Sequence, residues 1–495
     1  MKTLKDFVVF DRLTVHQLVV EPKRVKATYT LRMPEGAEVS TELIYSYDQV
    51  FFDKKSYKDV NLASMMAAQV AINYGLFCKE IVFDGIYEGA DTRFIRTMME
   101  NTSREILTNK LLVDNPFIKE GYKEIIVEKQ SKYTAAAIQF VNTGYQHMKA
   151  EVFSSVPDYG HFAILSSGGK DSLLTYGIVK ELGVAHPVFV NESGRHWFTA
   201  LNAYRDLKEK DPNTVKPWCN ADRLFNWMLK KMPFIKENFQ NMRADIYPIR
   251  LWTVAVFLFG VLPVVRKRGI GNVLIGNEYD TTDTAITQGI KHYNGLYDQS
   301  KYFDQALTRY YKEKNWEIYQ YSMLRSLSEL LIMKVLVKRY PELQQHQVSC
   351  HAAHEHEHRM YPCGKCEKCR RIIGMLVALE EDPKRCGYTD TQIENGLQQL
   401  AQKSVKQIGS DAAHLYHLLV EKGAIEKNNF TKKIAKAYPR IMKLRFDSER
   451  SRPEEMPLAV RDKVIALFAA YAEGIAVKEN KQWIEVPALT TVSKI

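Results

Sequence analysis

The chain has 495 residues, of which 45% are apolar and 26% are charged. These proportions predict a large soluble globular protein with more than one domain and a sizeable core. The net charge of +11 is scattered along the sequence, which excludes a basic arm. Such a charge allows an acidic or phosphorylated partner and gives only weak support for nucleic acid.

The first residues, MKTLKDFVVFDRLTV, lack an uninterrupted apolar segment and a small-residue cleavage site, so we expect no secretory signal. The longest apolar stretch, residues 251–265, is short for a membrane span and contains Pro263. We therefore predict a buried core helix there and no membrane association. Four of the seven cysteines lie between 350 and 369, which favours a metal site in a reducing compartment over disulfides. The expected location is the cytoplasm.

Residues 1–150 mix short β-like runs with helical patterns, which predicts an α/β accessory domain. This region contains no chemical motif. The β-like runs are FVVF, KATYTLRM, EIVFDG and KEIIVE, and the helical patterns are NLASMMAAQVAINYGL and DTRFIRTMMENTSREIL.

Residues 151–388 change to a pattern of strand, Gly-rich turn, helix and strand. HFAIL leads into SSGGKDS, then the helical SLLTYGIVKEL, then HPVFV, with a later apolar run NVLIG at 272–276. This succession is typical of βαβ units and predicts a Rossmann-like parallel sheet in an α/β fold. Ligands of such sheets bind at the carboxyl ends of the strands. Loops 166–172, 191–196 and 276–283 all follow predicted strands, so we expect them to meet at one edge.

Residues 389–495 are polar and helical in pattern, as in DTQIENGLQQLAQKSVKQI and LAVRDKVIALFAAYAEGI. Residues 445–455, RFDSERSRPEE, are predicted to form a surface loop. The regions at both ends of the chain offer possible surfaces for a protein partner.

The Gly-rich loop SSGGKDS is suited to an anion. Glycines let a ligand approach main-chain N–H groups, and the start of the following helix supplies free donors and partial positive charge. Lys170 adds a cation and the serines add hydroxyl groups. The spacing is neither that of a Walker A loop nor that of a dinucleotide-binding fingerprint. The expected ligand is a phosphate or a pyrophosphate group.

SGGKDS, residues 167–172, resembles the SGGxDS loop of the N-type ATP pyrophosphatases, or PP-loop enzymes. The resemblance implies an adenine nucleotide alpha hydrolase-like sheet that binds ATP and cleaves it between its α and β phosphates. It implies that the loop cradles the pyrophosphate, that Asp171 helps hold Mg²⁺, and that Lys170, Asp171 and Ser172 are the catalytic candidates. The nucleotide-binding candidates are Ser166, Ser167, Gly168, Gly169, Lys170, Asp171, Ser172, Asn191, Arg195, His196, Glu278 and Asp280.

A cysteine cluster follows the predicted sheet. Cys350 precedes Cys363, Cys366 and Cys369 in a C-x₂-C-x₂-C triplet. Four thiolates predict a closed tetrahedral zinc site with a structural role. An iron–sulfur cluster is the alternative, because ferredoxins use the same spacing. The histidines within the loop are expected to be solvated, and Cys78, Cys219 and Cys386 to be small buried residues.

An SGGxDS loop with a distal CGxCxxC segment resembles the 7-cyano-7-deazaguanine synthase family, which adenylates a carboxylate and binds zinc. The stretch GNEYDTTD…HYNGLYDQSKYFDQALTRYY, residues 276–311, with CGKCEKCR, is similar to the ATP-dependent epimerases of UDP-N-acetylmuramoyl-L-alanyl-L-glutamate. These resemblances cover residues 160–385 and imply an enzyme that activates the carboxylate of a small-molecule substrate, using ATP, Mg²⁺ and Zn²⁺. The alternatives are tRNA sulfur transfer with an iron–sulfur cluster, and a non-catalytic nucleotide-binding protein.

Two further groups are candidates on the substrate side. Glu278, Asp280 and Asp283 provide hard oxygen ligands suited to Mg²⁺, or form a solvated acidic loop. An aromatic and basic segment is suited to stacking on a ring or pairing with an anion, although a packed amphipathic surface explains it equally well. Its residues are His292, Tyr293, Tyr297, Lys301 and Tyr302.

Overall fold

The computed structural model describes residues 2–150, 156–242, 247–405, 409–480 and 482–486. Its N-terminal part is built on a mixed sheet of six strands, with β10 (Trp218–Cys219) at one edge beside β4, followed by β3, β2, β5 and β7. The strands of this part are β1 (Lys2–Thr3), β2 (Phe10–Glu21), β3 (Arg24–Arg32), β4 (Glu38–Ser46), β5 (Cys78–Asp84), β6 (Ile125–Ile126) and β7 (Ala137–Val141), and the helices are α1 (Tyr57–Ala68) and α2 (Gly89–Ile106).

Alternating burial explains why these segments are strands. In β3, every second residue from Val25 to Leu31 is buried, and the residues between them are more exposed. This period of two turns one side of the sheet towards the core. The predicted α/β character of residues 1–150 is confirmed.

Two of the predicted strands in this part differ from the observed ones. In FVVF, a 3₁₀ turn occupies Leu4–Phe7, so the strand begins only at Phe10. In KEIIVE, only the two residues of β6 pair with β1. Residues 123–128 are half-buried or exposed, so little apolar burial favours a longer strand there.

The central part contains a parallel sheet of four strands in the order β14-β11-β8-β9. The predicted strand HFAIL lies within β8, and HPVFV and NVLIG each share three residues with β9 and β11, so the parallel α/β architecture is confirmed. The strands of this part are β8 (Asp158–Leu165), β9 (Val184–Val188), β10 (Trp218–Cys219), β11 (Ile270–Leu274), β12 (Ala285–Thr287), β13 (Ile290–His292), β14 (Tyr319–Tyr321), β15 (His354–His356) and β16 (Arg359–Tyr361).

Helices connect these strands and flank the sheet. They are α3 (Lys170–Leu182), α4 (His196–Lys210), α5 (Ala221–Lys230), α6 (Val254–Lys267), α7 (Lys301–Glu313), α8 (Glu329–Arg339), α9 (Pro341–Gln344) and α10 (Glu367–Ala378). Helix α6 contains Pro263 and is formed by the long apolar stretch of the sequence. Its apolar residues are buried in the core, as predicted. In the described part of the chain, no helix is long and apolar enough to cross a membrane.

The strand order creates a switch point between β8 and β11. From β8 the chain passes through α3 to β9 on one side, whereas β11 and β14 lie on the other side of β8. The loops that leave β8 and β11 therefore lie next to each other at the carboxyl edge. In open parallel sheets, ligands bind in the crevice at such a switch point.

The C-terminal part is helical, as predicted, but it also contains a small sheet of three strands that the sequence pattern did not predict. Its helices are α11 (Asp390–Leu400), α12 (Gly409–Glu421), α13 (Asn429–Ile434) and α14 (Leu458–Ala469), and its strands are β17 (Leu444–Phe446), β18 (Ile475–Glu479) and β19 (Gln482–Val486).

Apolar packing joins the three parts of the chain. One core extends from Phe7 to Ile318, and a second includes residues of the central α3 together with residues of β17 and α14. A third core surrounds the cysteine cluster and continues to Met442. The division into domains at residues 150 and 388 stays a prediction, since apolar packing crosses both positions.

A buried ammonium group ties the end of α7 to the N-terminal helices, and its removal tests this junction. Lys314 Nζ lies 3.1 Å from Asp91 Oδ2 and 2.8 Å from Asn61 Oδ1, and Asp91 is fully buried. We expect Lys314→Met to lower the free energy of unfolding by about 3 kcal/mol, because it leaves a buried carboxylate uncompensated. Urea unfolding followed by circular dichroism measures the change. The exposed neighbour Lys312→Met is the control, and an equal effect of both substitutions would contradict the prediction.

Candidate functional site at the carboxyl edge of the parallel sheet

The loop between β8 and α3 is clamped against α4. Gly168 has a φ of 73°, and a Cβ atom at this position would lie only 2.5 Å from the carbonyl oxygen of Thr199. The hydroxyl group of Thr199 donates to the carbonyl of Ser167 at 3.3 Å. Because both the backbone angle and the space require glycine, the shape of this loop depends on Gly168.

The loop delivers the N-terminus of α3 to the edge of the sheet. Gly169 is the N-cap, and the N–H groups of Lys170, Asp171 and Ser172 have no acceptor within the helix. The Ser172 hydroxyl accepts from the N–H of Ser167 at 3.3 Å and donates to the carbonyl of Gly169 at 3.1 Å, which fixes the turn. The positive end of the helix dipole at this edge suits an anion.

Ser166 belongs to the end of the strand. Its N–H donates to the carbonyl of Val188 at 2.9 Å, and its hydroxyl donates to the carbonyl of Ile164 at 3.2 Å. Ser166 therefore ties the end of β8 to the end of β9, and the loop begins after it.

Lys170 joins three elements through carboxylates. The side chain is buried, and its Nζ lies 2.8 Å from Asp171, 3.4 Å from Glu278 and 3.5 Å from Glu329. Burial lowers the pKa of Lys170, but the three negative charges outweigh that effect and raise it overall. The ammonium group is thus held charged between the loop after β8, the loop after β11 and the start of α8.

The carboxylates around Lys170 outnumber the cations. Burial raises the pKa of Glu278 to about 8, and the charges of Glu329 and Asp171 add to the shift against the opposing charge of Lys170. Arg371 of α10 supplies a second cation, with its Nε 3.5 Å from Glu329. A further positive charge near Glu278 would stabilise the ionised forms of these three carboxylates.

Asp171, Glu278 and Glu329 offer the oxygen ligands that Mg²⁺ prefers. Among the described residues, however, these carboxylates do not converge on one point as a preformed metal site would require. Nucleotide-bound Mg²⁺ usually takes only one or two protein carboxylates together with phosphate oxygens. The residues therefore fit an ion that arrives with a nucleotide.

The loop after β9 leads into α4, the helix against which Gly168 packs. Asn191 is a structural residue, since its side chain accepts from the N–H of Ser193 and its carbonyl accepts from the N–H of Cys219. Arg195 is exposed at the start of α4. His196, the first residue of α4, hydrogen-bonds to the hydroxyl group of Tyr247. Contact with the loop after β8 is made by α4 itself, through Thr199.

The acidic side chains of the loop after β11 pair with cations on two sides of the loop. A Cβ atom at Gly276 would lie 2.9 Å from Asp171, so this glycine permits the close approach of the two loops. Glu278 faces Lys170, whereas Asp280 lies 4.0 Å from Arg445 and Asp283 pairs with Arg450. The acidic group is therefore a set of paired, largely buried carboxylates and not a solvated loop.

Sequence reasoning missed the contribution of the C-terminal part. Arg445 is buried, stacks on the ring of Tyr279 at 4.0 Å, and lies 3.9 Å from Asp411 of α12. Burial raises the pKa of Asp411 to about 8, and Asp280 adds to this shift against the opposing charge of Arg445. No sequence motif marks these residues, because the pair is separated by 34 positions and forms only in the folded chain.

The prediction that residues 445–455 form a surface loop is wrong for several residues of this segment, which are buried. Arg445, Asp447 and Ser451 are each at most 3% exposed, and Arg445 lies in β17. Asp447 accepts from the hydroxyl group of Tyr279 at 2.6 Å. The charged composition suggested solvent exposure, but partners from the loop after β11 compensate the buried charges.

The aromatic and basic segment is packed inward. Lys301 is buried, lies 3.3 Å from Glu455 and donates to the carbonyl of Ser448 at 2.8 Å. Tyr293 contacts the rings of Tyr297 and Tyr302. His292 is buried as well. These contacts favour the packed amphipathic interpretation of this segment.

The four predicted cysteines converge as a metal site requires. Cys366 Sγ lies 3.5 Å from Cys369 Sγ and 3.6 Å from Cys350 Sγ, and Cys363 Sγ lies 3.8 Å from Cys369 Sγ. Sulfurs that share one tetrahedral zinc at about 2.3 Å are about 3.8 Å apart. In an iron–sulfur cluster with one iron per thiolate, the sulfurs spread farther. The predicted Cys₄ group is confirmed as one that could bind a metal such as zinc, and its spacing favours a single ion.

The cysteine cluster is connected to the edge of the sheet. Cys366 is the N-cap of α10, the helix that carries Arg371 towards Glu329. The hairpin β15–β16 docks on α4, where the Asn202 side chain donates to the carbonyl of Met360 at 2.8 Å and accepts from its N–H at 2.9 Å. A metal at the cluster would therefore stabilise two elements that border the site.

Three of the loop histidines and the three cysteines outside the cluster are placed as predicted. His354, His356 and His358 are exposed, and the converging ligand group in the described chain contains no histidine. His351 instead lies against the ring of His196, with centroids 4.6 Å apart. Cys78, Cys219 and Cys386 are buried.

No model of a known protein family matches the chain, and no curated protein matches it either.

The cysteine cluster yields a test of its own. We expect Cys366→Ser to reduce the zinc content from about one ion per chain and to lower the urea midpoint at the same time, because a structural zinc contributes its binding energy to folding. Elemental analysis and urea unfolding measure the two effects. Cys386→Ser, at a buried thiol outside the cluster, is the control for zinc content. Iron with acid-labile sulfide in anaerobically purified protein would overturn the zinc assignment.

Proposed function

We propose that this protein binds ATP at the crevice between β8 and β11 and cleaves it between the α and β phosphates to adenylate a substrate carboxylate. The observation that carries this proposal is the SGGKDS loop, held by Gly168 against α4 at the switch point of a parallel sheet. The N–H groups at the start of α3, which have no acceptor within the helix, would donate hydrogen bonds to phosphate oxygens.

The reaction requires little covalent chemistry from the protein. A carboxylate oxygen of the substrate attacks the α phosphorus, the bond from that phosphorus to the bridging oxygen breaks, and pyrophosphate leaves with its electron pair. The products are an acyl adenylate and pyrophosphate, and a later attack on the acyl group releases AMP. Positioning and stabilisation of the departing negative charge are the main catalytic demands.

The residues of the site divide these tasks. The N–H groups at the start of α3 offer donors to the pyrophosphate, and Ser172 keeps the turn in shape. Lys170 is engaged by three carboxylates, so its role is to fix the loops and to set the local charge. Asp171 and Glu278 would hold Mg²⁺, which when bound neutralises phosphate charge.

The cysteine cluster has a structural role in this proposal. A zinc ion with four thiolate ligands has no open position, so the cluster would not activate water. Sulfur spacing that suits a single ion favours carboxylate activation over sulfur transfer from a cluster. A carboxylate-bearing small molecule is the proposed substrate class.

Substitutions in the loop test the proposed reaction. We expect Asp171→Asn and Gly168→Ala to lower pyrophosphate release from ATP by about a hundredfold or more, since each removes a contact or shape needed to stabilise the departing phosphates. The assay uses Mg²⁺ and a panel of carboxylic acids, with AMP and pyrophosphate quantified by mass spectrometry. Asp158→Asn, at the amino end of the same strand, is the matched control.

Binding and chemistry are measured separately. The analogue with a methylene group between the α and β phosphates should bind to the wild-type protein without being cleaved. Circular dichroism establishes that the variants are folded. Full activity of Asp171→Asn, or ADP and phosphate as the products, would contradict the proposal. Binding of ATP without pyrophosphate release across the whole panel would favour the non-catalytic alternative.

A further inference from the structure

Glu329, at the start of α8, pairs with cations from two separate parts of the chain. Its Oε1 atom lies 3.5 Å from Lys170 Nζ at the start of α3, and also 3.5 Å from Arg371 Nε in α10. The side chain of Glu329 is only 9% exposed, so solvent screens these charges weakly. The SGGKDS loop and the helix that follows the cysteine cluster therefore share one carboxylate oxygen.

Arg371 lies directly after the first turn of α10, where two of the cluster cysteines are found. Cys366 is the N-cap of this helix, and Cys369 lies in its first turn, two residues before Arg371. Arg371 Nη1 also lies 4.0 Å from Glu367 Oε1, at the first position of the same helix. A metal ion held by the four thiolates would fix this turn, and with it the starting point of the Arg371 side chain.

Arg370, one residue earlier in α10, has a different partner. Its Nη1 donates to Gln399 Oε1 of α11 at 3.2 Å. Among the described ion pairs, none joins Arg370 to a carboxylate of the site. Arg370 is therefore a matched control, because it carries the same charge on the same helix and follows Cys369 directly, but lies outside the charge network.

Arg371 contributes to the charge balance of the whole site. Burial lowers the pKa of Arg371, but the charges of Glu329 and Glu367 raise it overall. The carboxylates of Glu278 and Asp171 act in the same direction. Removal of this guanidinium group would leave the edge of the sheet more negative by one charge, and a more negative edge disfavours a polyanionic ligand.

The position of Lys170 depends on the same balance. Lys170 Nζ lies 2.8 Å from Asp171 and 3.4 Å from Glu278, besides its contact with Glu329. If Arg371 moved away, Glu329 would lose part of its compensation and would draw Lys170 towards α8. Because Lys170 is the first residue of α3, this shift would disturb the N–H groups to which the phosphates are proposed to bind.

We propose that Arg371 is a positioning residue of the nucleotide site, through which a metal ion at the cysteine cluster raises the affinity for Mg²⁺–ATP. The ion would hold the first turn of α10, and that turn would hold Arg371 against Glu329. Binding free energies are reciprocal, so the nucleotide would tighten the metal ion by the same factor. This role rests on the proposed function and links the nucleotide site to the metal.

Calorimetric binding of the methylene analogue of ATP, with Mg²⁺, tests the role of Arg371. We expect Arg371→Gln to weaken the analogue by about tenfold, within the usual range of coupling between two sites. Arg371→Lys should recover most of the affinity, because it restores a positive charge beside Glu329. Arg370→Gln should bind the analogue like the wild type. Circular dichroism establishes that the variants are folded, and elemental analysis that each retains its zinc.

The response of Zn²⁺ binding to the nucleotide separates coupling from a purely structural role. Competition with a chromogenic chelator at constant free Mg²⁺ gives the Zn²⁺ affinity of the full chain with and without the analogue. In the wild type and in Arg370→Gln, the analogue should tighten Zn²⁺ by about tenfold. Arg371→Gln should bind Zn²⁺ like the wild type without the analogue and should show no tightening with it.

Three results would overturn this inference and leave the proposed function intact, provided that the wild type still binds the analogue and releases pyrophosphate from ATP. The first is Arg371→Gln that binds the analogue like the wild type. The second is a wild-type Zn²⁺ affinity that does not change with the analogue. The third is weaker Zn²⁺ binding by Arg371→Gln without the analogue and no rescue by Arg371→Lys, which would assign Arg371 a structural role. A wild-type protein that does not bind the analogue would refute the proposed function and this inference together.

Discussion

The buried ammonium group of Lys170 is the interaction on which the arrangement of the site depends. Among the described ion pairs, it is the cation that lies within 3.5 Å of all three carboxylates, Asp171, Glu278 and Glu329. These carboxylates come from three separate elements. Without it, three negative charges would face each other at low solvent exposure, and the two loops of the crevice would repel. Gly276 allows this close approach because a side chain there would collide with Asp171.

Charge compensation continues from this point into the rest of the chain. Arg371 extends the network from Glu329 to α10, whose N-cap is a residue of the cysteine cluster. On the other side, Arg445 connects Asp280 to Asp411, so the C-terminal part holds the loop after β11. The cysteine cluster and the C-terminal part therefore support the carboxylates at this edge of the sheet from two sides.

The site has an uneven distribution of charge. Carboxylates dominate around Glu278, where a nucleotide-bound divalent ion would be stabilised under the proposed function. In the proposed reaction, that ion would neutralise phosphate charge beside the N–H groups at the start of α3.

The sequence by itself determined the local features: the strand–loop–helix around SGGKDS, the core helix at 254–267, and the four cysteines of the cluster. Each depends on residues close in sequence, where periodicity, glycine and ligand spacing are directly readable. Only the tertiary structure decided that Lys170 faces Glu278 and Glu329 and that Arg445 and Asp447 are buried. These outcomes depend on which polar groups meet across 34 to 168 positions of chain, and composition predicts exposure for a charged residue whose partner it cannot identify.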